Sequence, residues 1–218
     1  KKIFNIIFAT AVAWFLMDIS YYGTGIFTPY LVSTLGFSGV FASVKVSSLV
    51  LFIFAVPGYW VAVALIDRQG RKSMQAIGFL AMGVLFISIA LFGSLILKMS
   101  VAAFMLLYGL TFFFTNYGPN TTTYVYPVEL YPTQFRATGH GIASTAGKFG
   151  AALSALFFPA LLADMGKYAL IGMLGVIALF GCAMTILLLP ETKKKSLVET
   201  SKEAELALVT STLATDFS

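Results

Sequence analysis

The chain has 218 residues, of which 59% are hydrophobic and only 11% are charged. Soluble domains carry about 25% charged residues, so this composition excludes an ordinary soluble domain and predicts an integral membrane protein. The formal net charge of +5 is explained below by the loops between membrane spans, and we predict no nucleic-acid partner.

Six apolar segments follow one another along the chain, at about 3–30, 43–66, 74–97, 100–127, 139–163 and 168–190. About 20 helical residues, each rising about 1.5 Å, cross a hydrocarbon core of about 30 Å, and every segment is at least that long. Strands of a membrane β-barrel are only about 10 residues long and alternate in polarity, which these segments do not. The sequence therefore predicts an all-α fold with six transmembrane helices in residues 1–190.

The loops between these segments are unevenly basic. If residue 1 is cytoplasmic, most Lys and Arg residues fall on the cytoplasmic side: Lys1, Lys2, Arg68, Arg71, Lys72, Arg136, Lys193, Lys194, Lys195 and Lys202. Only Lys45, Lys98 and Lys167 fall on the other side. By the positive-inside rule we expect both termini in the cytoplasm, in a multi-pass protein that lies among the lipids of the plasma membrane. After Pro190 the composition becomes polar, and we expect residues 191–218 to form a cytoplasmic tail with a short helix near 197–209.

Apart from Lys45, which is at the very start of the second segment, two charged residues lie inside the predicted spans, Asp18 in the first and Lys148 in the fifth. Such residues are costly in lipid and usually face a functional cavity. Trp14, Asp18 and Tyr22 recur every fourth residue, so one helix face presents an indole N–H, a carboxylate and a phenol. The alternatives are packing or interfacial roles for the two aromatic rings, and a purely structural ion pair between Asp18 and Lys148.

Spans four and five contain further polar groups. Pro119 follows Gly118 within the fourth span, where it removes a backbone hydrogen bond, and Asn120 follows with three threonines. This segment is either the wall of a cavity or a packing kink. Lys148 is surrounded in the fifth span by small residues that let neighbouring helices approach closely, namely Gly141, Ser144, Gly147, Gly150 and Ala151. The alternative for Lys148 is that its ammonium reaches back to the interface.

Several stretches match the motifs of one membrane family. They are the Trp14, Asp18, Tyr22 helix face, PGYW at Pro57–Trp60, DRQGRK at Asp67–Lys72, FFFTNYGPNTTTYVYPVELYPTQFRATGHGIASTAGKFGA, and PETKKKSLVE. With these motifs the chain resembles the proton-coupled phosphate transporters of the major facilitator superfamily in plants and fungi. DRQGRK is typical of the superfamily at large and PETK also occurs in sugar porters, whereas GPNTTT followed by HGIASTAGK points to the phosphate branch.

The resemblance implies a fold, a site and partners. Its members have two six-helix halves with the substrate between them, and this chain is similar to the C-terminal half, which consists of two inverted three-helix repeats. The implied partners are the N-terminal half, inorganic phosphate and a proton. Carried over by motif, the phosphate contacts are Trp14, Asp18, Tyr22 and Asn120, with Lys148 nearby. Asp18 is the proton-coupling candidate, because a carboxyl group and an anion coexist in a cavity of low dielectric if they share a proton.

Charged residues at the predicted cytoplasmic ends of the helices form a second candidate group. In similar transporters such motifs form ion pairs that close the inner side, and here they comprise Asp67, Arg68, Arg71, Glu129, Arg136 and Glu191. The alternative is a topogenic role for the basic residues, which we favour for Lys72 and for residues 193–195. Histidine is the side chain that titrates near neutral pH, but a histidine at a helix end is more often structural, so His140 is left outside the predicted site.

The sequence therefore predicts a secondary active transporter that carries inorganic phosphate with a proton by alternating access. The alternatives are a porter of the same superfamily for a sugar or an organic ion, and a receptor-like protein of this fold that transports nothing. An enzyme is the least expected class, because the sequence shows no nucleophile with a base, no metal-ligand cluster and no phosphate-binding glycine loop. We expect neither a cofactor nor a metal.

Overall fold

The computed structural model describes residues 2–34, 36, 39–196 and 199 and consists of helices joined by short connections. The helices are α1 (Lys2–Thr34), α2 (Val40–Val50), a π-helical turn (Leu51–Ala55), α3 (Val56–Gln69), α4 (Arg71–Met99), α5 (Val101–Tyr117), α6 (Pro119–Leu130) and α7 (Arg136–Leu188). Of the predicted features, Lys1, Lys202 and nearly all of the short tail helix lie outside the described residues.

Five continuous helical stretches within the described residues are long and apolar enough to cross a membrane. The last of them, α7, has 53 residues and would be about 80 Å long if straight, more than twice the thickness of a hydrocarbon core. It is interrupted at Gly166, whose φ of 78° and ψ of 168° are not helical. The positive φ is one that glycine adopts readily. Because α7 thus contains two spans, the predicted set of six membrane helices is confirmed.

The two halves of α7 pack against different helices. Before Gly166, α7 lies parallel to α1, with Gly147 against Trp14 and Gly150 against the Phe15 backbone. After Gly166 it lies antiparallel to α4, where Gln75 donates a hydrogen bond to Thr185 and Gly175 and Gly181 approach the side chains of α4. Helices in lipid associate through close van der Waals contact, which explains these glycines. Of the small residues predicted to allow close approach, Gly141 faces open space.

The fourth membrane span is broken between α5 and α6. Gly118, with φ −110° and ψ −103°, separates the two helices, and Pro119 begins α6. A Cβ at Gly118 would lie 2.7 Å from the Cα of Gly78, so the absence of a side chain at Gly118 lets α4 approach the backbone at the break. The hydroxyl of Thr121 donates to the Asn116 carbonyl at 2.6 Å, and that of Thr122 donates to the Gly118 carbonyl at 3.1 Å. The predicted kink is present, and these carbonyls accept hydrogen bonds from nearby threonines.

One end of the bundle contains the start of α1, the α3–α4 junction, the end of α6, the start of α7 and residues 191–195. We call it the basic end, because Arg68, Arg71, Lys72, Arg136 and residues 193–195 belong to it. Helix α7 ends at Leu188, and the chain then returns to the α3–α4 junction. There Glu191 accepts hydrogen bonds from the backbone N–H groups of Arg71 and Lys72, at 2.9 and 3.1 Å.

Candidate functional site

The two intramembrane charges meet between α1 and α7. The Lys148 ammonium donates a hydrogen bond to the Asp18 carboxylate, with 3.2 Å between Nζ and Oδ2. The same ammonium lies 3.4 Å from the Tyr22 hydroxyl and 5.2 Å from the centre of its ring. Helices α1 and α7 run parallel here, which brings residues 130 positions apart in sequence to the same depth.

Exposure differs sharply across this ion pair. The Asp18 side chain is only 3% exposed, whereas that of Lys148 is 57% exposed. Tyr22 is also partly exposed, at 40%. An ammonium within a membrane span is not stable against lipid tails. We infer that the open side of Lys148 faces a water-filled cavity or another part of a protein, as a binding residue would.

Trp14 is held one turn nearer the basic end. Its indole is 1% exposed and contacts the rings of Tyr124 at 4.5 Å and His140 at 5.3 Å, edge to face in both cases. A Cβ at Gly147 would lie 2.4 Å from the indole Cδ1, so the ring needs the space that this glycine leaves. Within the described residues the buried indole N–H has no hydrogen-bond partner. Since a buried donor without an acceptor is unfavourable, this N–H is suited to a ligand oxygen.

Asn120 is the second residue of α6, just after the break at Gly118. It forms a cluster with Asn116 and Tyr59. Its amide nitrogen donates to the Asn116 side chain at 2.7 Å and to the Tyr59 hydroxyl. Asn120 is 8% exposed, so these partners satisfy a buried amide. Tyr59 also lies near Asp18 and Tyr124, so the two clusters are neighbours.

Two residues of this cluster were missed by the prediction, although the sequence contains a signal for each. Asn116 is a polar residue in an apolar segment, four residues before Asn120 and on the other side of the break at Gly118, and its side chain accepts a hydrogen bond from Asn120. Tyr59 lies in the PGYW motif, to which no role was assigned. Tyr59 and Asn120 are 61 positions apart in the sequence, and the packing of α3 against α5 brings them together.

The charged residues predicted to close one side are grouped at the basic end. Arg71 binds Glu129 through Nε, at 2.9 and 3.1 Å from the two carboxylate oxygens, and through a terminal nitrogen at 2.7 Å. Its other terminal nitrogen lies 2.8 Å from Asp67. Glu191 joins this group through backbone N–H groups, as described above, and Thr192 donates its hydroxyl to Glu129. Arg68 was predicted to belong to this group, but it is exposed and forms no ion pair with Asp67 or Glu129.

Together the contacts form a donor-rich site with one carboxylate. Lys148, Tyr22 and Trp14 offer an ammonium, a phenol and an indole N–H, and the Asn120 amide nitrogen binds Asn116 and Tyr59. Asp18 is the one ionisable acceptor among the predicted site residues. Such a set suits a small oxyanion that arrives with a proton. No cluster of three or more potential metal ligands occurs in the described part of the chain.

Comparison with known proteins gives the family. The model of the family described as "Sugar (and other) transporter" matches residues 4–204. The chain belongs to this family. Its fold agrees: the major facilitator superfamily proton:xylose symporter XylE bound to 6-bromo-6-deoxy-D-glucose matches with a TM-score of 0.74 at 22% identity, over 90% of this chain and 42% of that one. A double Trp mutant of XylE matches with a TM-score of 0.71 at 20% identity, over 91% and 42%.

Several proteins of similar sequence have names that mention phosphate. The chain is 37% identical to "Probable inorganic phosphate transporter 1-10" of Oryza sativa subsp. japonica, over 90% of this chain and 40% of the relative. It is 36% identical to "Low affinity inorganic phosphate transporter 1" of Petunia hybrida and 37% identical to "Inorganic phosphate transporter 1-4" of Arabidopsis thaliana, in each case over 90% of this chain and 41% of the relative. The chain thus spans about two fifths of the length of these relatives.

Proposed function

We propose that this chain is the C-terminal six-helix half of a secondary transporter that carries inorganic phosphate together with a proton by alternating access. The observation that carries the proposal is the Lys148 ammonium, bound to a buried carboxylate on one side and open on the other. The names of the relatives supply the substrate class. The N-terminal half would form the opposite wall of the cavity, and residues 191–218 would form the tail.

Phosphate would bind on the open side of Lys148. The ammonium and the Tyr22 hydroxyl lie 3.4 Å apart and can both reach one phosphate oxygen or two neighbouring ones. Charge-assisted hydrogen bonds of this kind are about twice as strong as neutral ones. The unpartnered indole N–H of Trp14 would donate to another oxygen. Asn120 would contact phosphate by exchanging one of its present acceptors, Asn116 or Tyr59, for a phosphate oxygen.

Proton coupling would arise from competition for Lys148. Without phosphate, Lys148 neutralises Asp18 at 3.2 Å. When phosphate takes over the ammonium, a buried carboxylate and an anion become neighbours, and both desolvation and the like charge disfavour the ionised carboxylate. Asp18 would therefore take up a proton as phosphate binds. By linkage, a proton on Asp18 would favour phosphate binding to the same extent.

The ion pairs at the basic end would close one side of the pathway. We infer that this end is cytoplasmic, because the positive-inside rule assigns the more basic loops to the cytoplasm. Arg71 connects α4 to α3 and α6, and Glu191 connects the segment after α7 to the first turn of α4. These contacts lie within one half and would hold its basic end in the shape that meets the other half when the two rock against each other. The same assignment places both termini of this multi-pass protein in the cytoplasm, and we propose that it lies in the plasma membrane.

A sugar porter is the nearest rival, since the solved neighbours are forms of a xylose symporter. At 20–22% identity they define the fold alone. A neutral sugar carries no charge that would bind an ammonium, whereas the Lys148 side chain is 57% exposed. The exposed ammonium favours an anion.

Uptake by the complete transporter in proteoliposomes tests the substrate. Radiolabelled phosphate is offered alone or with a hundredfold excess of unlabelled phosphate, sulfate or xylose. We expect saturable uptake that unlabelled phosphate abolishes and that xylose leaves unchanged. No uptake of phosphate, together with uptake of radiolabelled xylose by the same proteoliposomes, would contradict the proposal and favour the sugar porter.

A further inference from the structure

His140 lies beside the proposed site, although its position at a helix end favoured a structural role. It is on α7, eight residues before Lys148, which corresponds to about 12 Å along the helix axis toward the basic end. Its ring meets the Trp14 indole edge to face, at 5.3 Å and 89°. The Tyr124 ring lies 6.5 Å away. His140 therefore contacts the same indole whose N–H has no partner.

The imidazole is available to a ligand. His140 is partly exposed, and among the described residues no side chain or backbone group forms a hydrogen bond or an ion pair with it. A histidine ring always has at least one N–H donor and has two when protonated. Within the described residues the imidazole and the buried Trp14 indole N–H are thus two groups without hydrogen-bond partners, on rings whose centres lie 5.3 Å apart.

The surroundings of His140 suit an anion. Arg136 is one turn closer to the basic end on α7, and Lys148 is two turns further in. Glu129, which is five residues after Tyr124 on α6, already binds Arg71 and Thr192. The charges along this part of α7 are therefore positive.

We propose that His140 is a second phosphate contact, which receives the anion from Lys148 on the way to the basic end and holds it together with the Trp14 indole. This inference rests on the proposed function and adds to it a residue and a direction. Phosphate would first bind at Lys148 and Tyr22. Once the basic end opens, it would move about two helical turns along α7 to His140 before release.

Two substitutions separate this role from a packing role. His140→Phe keeps a ring that meets Trp14 edge to face but removes both ring nitrogens. His140→Gln removes the ring but keeps an N–H donor. If His140 only packs against Trp14, the Phe variant is the milder one. If it contacts phosphate, the Gln variant is the milder one.

The experiment uses the complete transporter in proteoliposomes of known orientation and measures the half-saturating concentration of inorganic phosphate at each face. We expect His140→Phe to raise this concentration about tenfold at the face of the basic end and less than twofold at the other face, as loss of one hydrogen bond to a charged ligand implies. His140→Gln should raise it less than threefold at either face. Melting temperatures of the purified variants are measured to determine whether both are folded.

Several outcomes would overturn the inference. Wild-type values for His140→Phe at both faces would show that the ring nitrogens do not contact phosphate, and an equal rise at both faces would show damage to the Trp14 site as a whole. If the Phe variant does not fold, His140→Met, which matches Gln in length but has no donor, replaces it. A wild-type protein that transports no phosphate would overturn the proposed function and this inference together, whereas normal wild-type transport with an unaffected variant overturns this inference alone.

Discussion

Replacing Lys148 tests whether the buried ion pair is a binding site or only a structural contact. In Lys148→Ala, the Asp18 carboxylate, which is 3% exposed, loses its cation. Removal of one partner from a fully buried pair costs about 3–5 kcal/mol, and exposed pairs contribute about 0.2–1 kcal/mol. Because Lys148 is 57% exposed, we expect the free energy of unfolding to fall by about 1–3 kcal/mol.

The expected effect on phosphate binding is larger. A hydrogen bond between charged groups contributes about 1.5–3 kcal/mol, so loss of the ammonium should raise the Kd for phosphate by about tenfold to a hundredfold. Lys98→Ala is the control, because Lys98 is an exposed lysine at the end of α4. It should leave both stability and the Kd unchanged.

A double substitution separates the two effects. In Asp18→Asn with Lys148→Gln, both charges of the pair are removed, so no buried carboxylate is left without a partner. Thermal unfolding should then return close to that of the wild type, whereas calorimetric binding of phosphate should remain weak. If phosphate affinity returns together with stability, or if Lys148→Ala binds phosphate normally, the pair is structural and the reasoning fails.

Three further predictions concern contacts around the site. Gly147→Ala places a methyl group 2.4 Å from the neighbouring indole, so the tryptophan emission should shift and phosphate affinity should fall several-fold. The control Gly141→Ala, at a position that faces open space, should change neither. An unchanged emission spectrum for Gly147→Ala would contradict the contact. Tyr59→Phe removes an acceptor from a buried amide and should lower the free energy of unfolding by about 1–3 kcal/mol, as measured by thermal unfolding; a stability equal to the wild type would refute this bond. Glu129→Gln should weaken the ion pairs at the basic end and speed labelling of cysteines introduced into the pathway. Asp67→Asn should have a smaller effect, because the Asp67 side chain is 83% exposed and that of Glu129 only 15%. Equal labelling rates for both variants would contradict a closing role.

The membrane helices could be predicted from the sequence because their signal is local. Apolar runs long enough to cross a bilayer indicate six spans, and Gly118 before Pro119 indicates the break that separates α5 from α6. The approach of Asp18 to Lys148 was also predictable, since two opposite charges in lipid favour contact. The sequence predicts a loop between the fifth and sixth spans. In the structure a single residue with positive φ, Gly166, separates them.

Other contacts depend on helix packing and could not be predicted. The packing of α3 against α5 brings Tyr59 to Asn120, and the parallel register of α1 and α7 brings His140 to Trp14. Glu191 was expected in an ion pair, but it binds backbone N–H groups at the start of α4. The first turn of a helix leaves such groups without partners, and the sequence does not show which carboxylate reaches them.

The measurement that tests the account most directly is uptake of radiolabelled phosphate into proteoliposomes that contain the complete transporter, with and without an inward proton gradient. Wild-type protein and Asp18→Asn are compared at equal amounts in the membrane. We predict that the gradient accelerates uptake by the wild type and has no effect on the variant, because the Asn amide cannot take up the proton that accompanies phosphate. Equal stimulation of both proteins by the gradient would show that Asp18 does not couple the proton to the anion.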